Sequence, residues 1–284
     1  MQKIADWVVR HPWRAGLGVL LAVFALSMAS CAATQPHTDR DWYPYLSRTT
    51  DAAVTPESFT VSPVIDWRYD ASGPIEERFA AAQFSFADLR NVWFVLEPQP
   101  GMDAAAHTLL LFEFSDDRLI GVTIEARREA DEEYSAWEGI WNKFELAYVW
   151  ASARDLLTRR AVYLDHEVFV YPIDISEAQK GVLLQRLLAR TEALETQPRF
   201  YNTLFSNCTN ELAKATDLTW HYSFILTGYS DDHLYRDGLI PGASFEAAHT
   251  AADMTNFIKT LNTGVAPEAF DAALLAELRR RLAG

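Results

Sequence analysis

The stretch FYNTLFSNCTNEL, Phe200–Leu212, decides how the rest of the chain is interpreted. It contains Cys208, which is the one cysteine outside the N-terminal segment. Ser206 or Asn207 can cap the start of a helix, and Glu211 stands where the acid of a capping box would lie. The sequence therefore predicts a helix that carries Cys208 in its first turn.

A cysteine in that position has two interpretations. Unsatisfied backbone N–H groups and the helix dipole favour the thiolate, which is the nucleophilic form of the side chain. A lone cysteine in an exported protein has no intramolecular disulfide partner, so the other interpretation of Cys208 is a small hydrophobic side chain in the core. This stretch alone leaves both interpretations open.

The composition of the 284-residue chain is that of a globular protein, with 49% hydrophobic and 23% charged residues. Its formal net charge is −14 at pH 7. Such a charge argues against nucleic acid as a partner and against broad adhesion to anionic lipid. We therefore expect any membrane contact to come from the N-terminus.

Residues 1–30 are typical of a secretory signal. Lys3, Arg10 and Arg14 precede the apolar run Ala15–Ala29, and small residues lead into Cys31. A basic region, an apolar core and a small-residue cleavage site are the three parts of such a signal. The sequence therefore predicts export from the cytoplasm.

The residues before Cys31 suggest how the protein is tethered. The sequence MASC, which ends at Cys31, resembles a bacterial lipobox with Met28 in place of the usual leucine. This resemblance implies a lipoprotein whose lipidated first residue is Cys31, and Ala32 favours sorting to the outer membrane. The alternative is an uncleaved signal anchor, because the apolar run is near the lower length limit for a membrane span. Either way, we expect an extracytoplasmic, membrane-tethered domain in the cell envelope.

The remainder of the chain predicts one α+β domain. Residues 31–60 are rich in turn formers and predict a tether with an ordered entry segment, whereas residues 61–284 predict a single domain with a C-terminal helical extension. The predicted strands are Val61–Tyr69, Arg78–Phe86, Asn91–Leu96, His107–Phe114, Leu119–Glu129, Glu145–Ser152 and Glu167–Ile173. The predicted helices are a turn at Arg154–Leu157, Ser176–Thr196, the Cys208 helix, Ala252–Leu261 and Pro267–Leu282, with a Gly-rich connection at Leu226–Gly242.

A thiol nucleophile requires a base and an acceptor that orients the base. His107 begins an apolar strand after the flexible stretch Gly101–Ala106, so its ring can stand at a sheet edge, as a base or as a hydrogen-bonded strand end. Glu125 lies on the hairpin partner strand, where a carboxylate can reach an imidazole across the pair. A pairing of Glu125 with Arg127 on the same strand face is the structural alternative.

Further candidates for binding substrate or an oxyanion are Asn207, Tyr201 and Arg127, although capping is the simpler role for Asn207. The sequence contains no Gly-rich phosphate loop and no GxSxG motif. The histidines are scattered, and we interpret the Asp231–His233 run as a polar loop, so we expect neither a metal nor a cofactor.

Six stretches, in the same order, are similar to one family, the Lnb N-terminal periplasmic domains. They are DRDW (Asp39–Trp42), DWRYD (Asp66–Asp70), AHTLLLFEF (Ala106–Phe114), VTIEARRE (Val122–Glu129), FYNTLFSNCTNEL and GYSDDHLY (Gly228–Tyr235). The order histidine, acid, then cysteine also resembles permuted papain-like thiol enzymes. Two features differ from the family pattern. The sequence SNCTN stands in place of the commoner motif NCTT, and the sequence has no multi-spanning membrane region after the domain.

The resemblance implies a permuted papain-like fold, with an antiparallel sheet packed against helices, Cys208 as nucleophile and His107 as general base. Lnb proteins are described as transferring an acyl chain within bacterial lipoproteins. By analogy, Cys208 attacks an ester, forms a thioester and passes the acyl group to an amine or to water. Strand geometry and its place in VTIEARRE favour Glu125 as the residue that orients His107.

Three functions follow. The first is a membrane-tethered thiol acyltransferase or hydrolase that acts on a lipid or ester acyl donor. The second is an amidase or peptidase that cleaves cell-wall peptides with the same residues. The third is an envelope lipoprotein that binds lipid or a partner around an inert Cys208. A lipid-like substrate requires an apolar groove, and the candidates for its lining are Trp93, Trp137, Trp141 and Phe144.

Overall fold

A computed structural model describes residues 10–282, which fall into two units with a boundary between His37 and Thr38. The N-terminal unit contains helix α1 (Pro12–Ala33). The predicted lipidation of Cys31 lies outside the described residues, because the side chains of residues 28–32 are not described, and the same holds for residues 1–9 of the predicted signal. In the described part of the chain, no helix combines the length and the apolar character needed to cross a membrane.

The second unit is α+β, with a mixed, mostly antiparallel sheet and several helices. The strands formed by the described residues are β1 (Asp51–Val54), β2 (Ser58–Ile65), β3 (Arg68–Asp70), β4 (Gly73–Glu76), β5 (Phe79–Ser85), β6 (Leu89–Gln99), β7 (Met102–Phe114), β8 (Leu119–Arg127), β9 (Glu145–Ser152) and β10 (Phe169–Pro172). The helices that follow α1 are α2 (Ala153–Thr158), α3 (Glu177–Thr196), α4 (Cys208–Ala213), α5 (Ser230–Arg236), α6 (Phe245–Ala252), α7 (Thr255–Gly264) and α8 (Phe270–Leu282). A π-helical turn, Arg159–Tyr163, continues α2.

The main sheet has the strand order β1-β2-β9-β8-β7-β6-β10, and β5 pairs with β2. Strands β6 to β9 form an antiparallel meander, whereas the contact of β2 with β9 is parallel. Strands β3 and β4 form a separate two-stranded ribbon. The predicted hairpin of β7 and β8 is therefore at the centre of the sheet.

Both faces of the central sheet are buried, and consecutive residues of a strand contribute to opposite cores. On β7, Leu110 and Phe112 pack in the core that α3 and α4 cover, whereas Leu109 and Leu111 pack in the core that α2, α7 and α8 cover. A strand buried on both faces has a continuous apolar sequence, which explains the run LLLF in β7.

Several elements have the bounds that local sequence patterns predict. Strand β9 has the predicted bounds, and α3 begins after Ser176, whose side chain accepts a hydrogen bond from the backbone of Gln179. The side chain of Gln179 in turn accepts from the backbone N–H of Ser176, which completes a capping box. Helix α3 is therefore confirmed as a core helix with a defined start.

Other predictions of secondary structure are wrong. The stretch Gly101–Ala106 is not a flexible approach to His107, because Met102–Phe114 is one continuous strand. The Asp231–His233 run lies in helix α5 and not in a polar loop, and Asp231 is buried where it accepts a hydrogen bond from Tyr171 at 2.6 Å. Pairing with neighbouring strands and buried partners overrides the polar or flexible local composition.

We predict that Leu187→Ala lowers the free energy of unfolding by about 2–5 kcal/mol, because Leu187 of α3 is completely buried against the sheet. Val182→Ala on the same helix is the matched control; since Val182 is 40% exposed, we expect a loss below about 1 kcal/mol. Urea unfolding followed by circular dichroism measures both values. Equal losses would contradict this description of the core.

Candidate active site

Helix α4 begins at Cys208, and its N-cap is Asn207. The side-chain oxygen of Asn207 accepts a hydrogen bond from the backbone of Asn210 at 2.8 Å. Its side-chain nitrogen donates to the carbonyl oxygens of Thr203 and Phe224 at 2.8 and 2.7 Å. The amide of Asn207 is thus engaged in capping the helix and holding two loops, and it is not directed at the thiol.

The body of α4 is held by Glu211, which is completely buried. Its carboxylate accepts hydrogen bonds from Tyr148 of β9 at 2.7 Å, Arg199 at 3.0 Å and Lys214 at 2.7 Å. Burial raises the pKa of a carboxyl group, but these three donors outweigh it and lower the pKa of Glu211 to about 2. The predicted capping-box role of Glu211 is wrong, because its side chain anchors the helix to the sheet instead.

The site lies where β7 and β8 diverge. The pairing of the two strands extends to Leu109 and Thr123; beyond this point β7 pairs with β6 and β8 pairs with β9. Continuing the register places His107 opposite Glu125, and α4 contacts both strands. The N-terminus of α4 therefore meets His107 and Glu125 at the opening between the strands.

Thr123 connects the imidazole to the carboxylate. Nε2 of His107 is 2.5 Å from Oγ1 of Thr123, which donates a hydrogen bond to Oε1 of Glu125 at 2.8 Å. Nε2 is also 3.3 Å from the same carboxylate oxygen. Because the hydroxyl proton of Thr123 is directed to Glu125, its oxygen accepts from Nε2–H. The other ring nitrogen, Nδ1, takes no part in this pairing.

The charges of these residues stabilise one another. Burial raises the pKa of a thiol, but the charge of His107 and its hydrogen bond to Cys208 outweigh burial, and hydrogen bonds from Thr108 add to the effect. The pKa of Cys208 is thereby lowered to about 7. Burial lowers the pKa of an imidazole, yet Glu125 and Cys208 raise the pKa of His107 to about 10. Between these values the thiolate–imidazolium pair is the favoured form.

A buried arginine, Arg160, forms an ion pair with Glu125. Arg160 of the π-helical turn has one guanidinium nitrogen 3.6 Å from Glu125 and another 2.7 Å from Glu97 of β6. Glu97 also lies 2.6 Å from Nδ1 of His166. Burial raises the pKa of Glu125, but His107, Arg160 and Arg159 hold it well below its usual range. The carboxylate opposite His107 is therefore ionised.

The structure gives different surroundings to the two remaining candidates, Arg127 and Tyr201. Arg127 donates to the carbonyl oxygens of Leu46 and Ser47 at 2.9 and 3.0 Å and stacks on Trp42, so it does not pair with Glu125. Tyr201 is buried, and its pKa is raised by burial and then by the charge of Cys208. The hydroxyl of Tyr201 is thus close enough to Cys208 to sense its charge, and of the three candidates it best suits a substrate contact.

Three residues of the candidate site were missed from the sequence. Thr123 lies two residues before Glu125 on the same strand face, which is a local signal that was available. Thr108 bonds Thr209 at 2.9 Å and joins β7 to α4 directly beside the site. Arg160 has no local signal, because its partners are distant in the chain.

The aromatic residues proposed to line a groove do not do so together. Trp93 and Phe144 are buried in the core, whereas Trp137 is 67% exposed and packs edge-on against Trp141. Within residues 10–282, no group of three or more histidine, cysteine, aspartate or glutamate side chains is placed to hold a metal ion.

The fold and the site define a class of α+β protein in which a buried thiol, an imidazole and a carboxylate meet between two diverging strands. The sequence model of one family, described as the Lnb N-terminal periplasmic domain, matches residues 76–227, which contain His107, Glu125 and Cys208. The chain belongs to this family, and the family is described as periplasmic. No curated protein and no solved structure matches the chain.

We predict that iodoacetamide alkylates Cys208 with an apparent pKa of about 7, because the neighbouring imidazolium stabilises the thiolate. The pH dependence of alkylation, followed by intact-protein mass spectrometry, measures this value. In His107→Ala the apparent pKa should rise to about 8.5 or higher, as for a thiol without a cationic partner. An unchanged pH profile in His107→Ala would show that the two side chains are not coupled.

We also predict that Thr123→Val slows this alkylation at pH 7 by about ten-fold, because the imidazole loses the acceptor that connects it to Glu125. Thr123→Ser keeps the hydroxyl and should react at close to the wild-type rate. If both variants behave alike, the hydroxyl of Thr123 has no part in orienting His107.

Proposed function

We propose that this protein is a periplasmic, membrane-tethered thiol acyltransferase or hydrolase with a permuted papain-like fold. The observations that support the proposal are the hydrogen-bond series from His107 through Thr123 to Glu125 and the position of Cys208 at the start of α4, where His107 lowers the pKa of the thiol. A nucleophile, its base and an acceptor that orients the base are the parts that covalent acyl transfer requires. The proposed acyl donor is a lipid or another ester, and the tether is the N-terminal segment.

In the first half of the proposed reaction, the thiolate of Cys208 attacks the carbonyl carbon of the ester. The imidazolium of His107 donates its proton to the departing alkoxide, which leaves as an alcohol, and the acyl group remains on sulfur as a thioester. The negative charge on the carbonyl oxygen in the tetrahedral intermediate requires hydrogen-bond donors. The first-turn N–H groups of α4 and the hydroxyl of Tyr201 are the proposed donors.

In the second half, an amine or a water molecule attacks the thioester and transfers a proton to the neutral imidazole of His107. The C–S bond breaks, and the products are an amide or a carboxylic acid with the thiolate of Cys208 restored. Glu125 and Thr123 keep the ring in the tautomer and orientation that both halves use. No proton is gained or lost by the enzyme over the cycle.

The two other functions predicted from the sequence differ from this proposal in the adduct that Cys208 would form. An amidase or peptidase for cell-wall peptides would use the same Cys208–His107 pair but would form its thioester from an amide. A binding protein with an inert cysteine would not form an acyl adduct. The lowered pKa of Cys208 favours an active thiol over an inert one.

We predict that an activated acyl ester acylates Cys208, giving an adduct visible by intact-protein mass spectrometry. Cys208→Ser should give no thioester, and His107→Ala should slow acylation by about 100-fold or more, because general acid–base catalysis is lost. Hydroxylamine should remove the adduct, as it cleaves thioesters. Acylation should increase through pH 7, as the thiolate forms, and decrease as His107 deprotonates near pH 10.

Tyr201→Phe is the control that separates substrate stabilisation from thiol activation. We expect it to slow acylation while the iodoacetamide profile of Cys208 stays close to that of the wild type. If the wild type forms no adduct and Cys208 resists alkylation until the protein is unfolded, the thiol chemistry is excluded and a binding function takes its place.

A further inference from the structure

A group of cations lies where α3 packs beside the C-terminal end of α4. Four side chains make up this group, which we call the basic cluster: Arg186, Arg190, Arg199 and Lys214. Between 32% and 42% of each of these side chains is exposed. The basic cluster is therefore accessible from the solvent.

Part of this positive charge is needed to hold α4 in place. Lys214 and Arg199 lie 2.7 and 3.0 Å from the buried carboxylate of Glu211. Arg190 donates a hydrogen bond to the carbonyl oxygen of Lys214 at 3.0 Å, next to the C-terminus of α4, where the helix dipole favours a cation. Glu211 carries one negative charge only, so these contacts leave positive charge over.

The charge of the basic cluster is opposite in sign to that of the chain. Arg186 pairs with Asp217 at 2.8 Å, and the other three cations share Glu211. Four cations and two carboxylates leave an excess of two positive charges, whereas the chain as a whole has a formal net charge of −14. This surface therefore attracts an anionic partner that repels most of the molecule.

Exposed aromatic side chains border the basic cluster. Phe205 is 67% exposed, and its carbonyl oxygen accepts a hydrogen bond from Nζ of Lys214 at 2.6 Å. Trp220 is 66% exposed and follows Asp217, the partner of Arg186, by three residues. Cations and aromatic rings thus belong to one surface.

The segment of residues 218–229, which contains Trp220, is uncharged apart from His221, although 23% of the whole chain is charged. It is joined to α4, because the carbonyl oxygen of Phe224 accepts hydrogen bonds from Asn207 and Asn210 at 2.7 and 2.8 Å. Its large exposed side chains are Trp220, Tyr222, Leu226 and Tyr229.

This combination of side chains suits the surface of a membrane. Lysine and arginine attract anionic headgroups, and tryptophan and tyrosine are enriched at the interface between headgroups and hydrocarbon. An acidic soluble protein would pair with the cations, but it would leave the uncharged aromatic segment without a partner. The predicted N-terminal tether would also keep a bilayer within reach of the domain.

We propose that the basic cluster, together with Phe205 and Trp220, docks on a bilayer that contains anionic lipid. Membrane contact then does not come from the N-terminus alone, and docking brings the helix that carries Cys208 to the bilayer. The inference goes beyond the proposed function, because it assigns an interaction surface that does not depend on acylation of Cys208.

Hydrogen exchange on the full-length protein in nanodiscs tests this proposal, because it reports on the docking surface separately from the N-terminal tether. In nanodiscs that contain phosphatidylglycerol, we expect the amides of residues 202–206 and 218–226 to exchange about five-fold more slowly, or more, than in nanodiscs of phosphatidylcholine alone. About 0.5 M NaCl should remove this protection, because it shortens the screening length to about 4 Å.

Charge variants test the basic cluster itself. Arg186→Gln combined with Arg190→Gln should lower the docking constant, which the protection measures, by about 25-fold, since each cation near an anionic bilayer contributes about five-fold. Arg236→Gln combined with Arg280→Gln is the matched control. It removes the same charge from side chains that are 69% and 70% exposed outside the basic cluster, and the protection should persist.

A gain of docking provides a variant whose effect misfolding cannot imitate. Asp217→Asn removes the 84% exposed carboxylate that pairs with Arg186 and should strengthen docking by about five-fold, so that more NaCl is needed to remove the protection. Trp220→Ser should reduce the protection of residues 202–206. Its control, Ile75→Ser on β4, replaces a side chain that is 56% exposed and should not change that protection.

Equal exchange in the two kinds of nanodisc would overturn the proposal, and so would protection that persists in Arg186→Gln combined with Arg190→Gln. The basic cluster would then suit an acidic protein partner instead. Because the exchange is measured without an acyl donor, such a result leaves the thiol chemistry as it stands. Conversely, failure of Cys208 to form an acyl adduct does not affect the docking surface.

Discussion

The structure around the site depends on one constraint, which is that charges removed from water must be paired. A thiolate at Cys208 and a carboxylate at Glu125 are costly to bury unless a cation lies close to both. His107 meets this need, because its Nε2 lies against Thr123 and Glu125 and the charge of Cys208 also raises its pKa. Arg160 balances the carboxylates on the other side of Glu125. The charges of the site thus alternate in sign from Cys208 through His107 and Glu125 to Arg160.

The sheet explains how this series can be kept in place. The faces of β7 alternate, so that His107 is directed towards Glu125 and Arg160 while the next residue, Thr108, bonds Thr209 of α4. The helix is therefore joined to the strand that carries His107, and Glu211 joins the same helix to β9. Cys208 and His107 therefore belong to elements that these hydrogen bonds join. Such preorganisation is what covalent catalysis requires.

Much of the fold could be predicted from local patterns. The apolar runs of β7 and β8 and the polar turn between them identified the central hairpin, whose register places His107 opposite Glu125. The short strands β1 and β4 were missed, and β3 was merged with β2 in the predicted strand Val61–Tyr69, because four or fewer residues show no clear period. Helix α6 (Phe245–Ala252) was missed as well, since it is short and most of its apolar residues are alanines, which bury little surface. Whether an edge strand or a short helix forms depends on the neighbouring elements that pair with it or cover it.

The sequence by itself determined the helix that begins near Cys208, the hairpin that carries His107 and Glu125, and the membership of the family. These follow from periodicity, capping and motif order, which operate over a few residues. The tertiary structure alone decided that Arg160 and not Arg127 supports Glu125, and that a group of cations gathers beside α4. The physical reason is that burial and charge pairing join residues far apart in the chain, and a linear pattern does not record which of them meet.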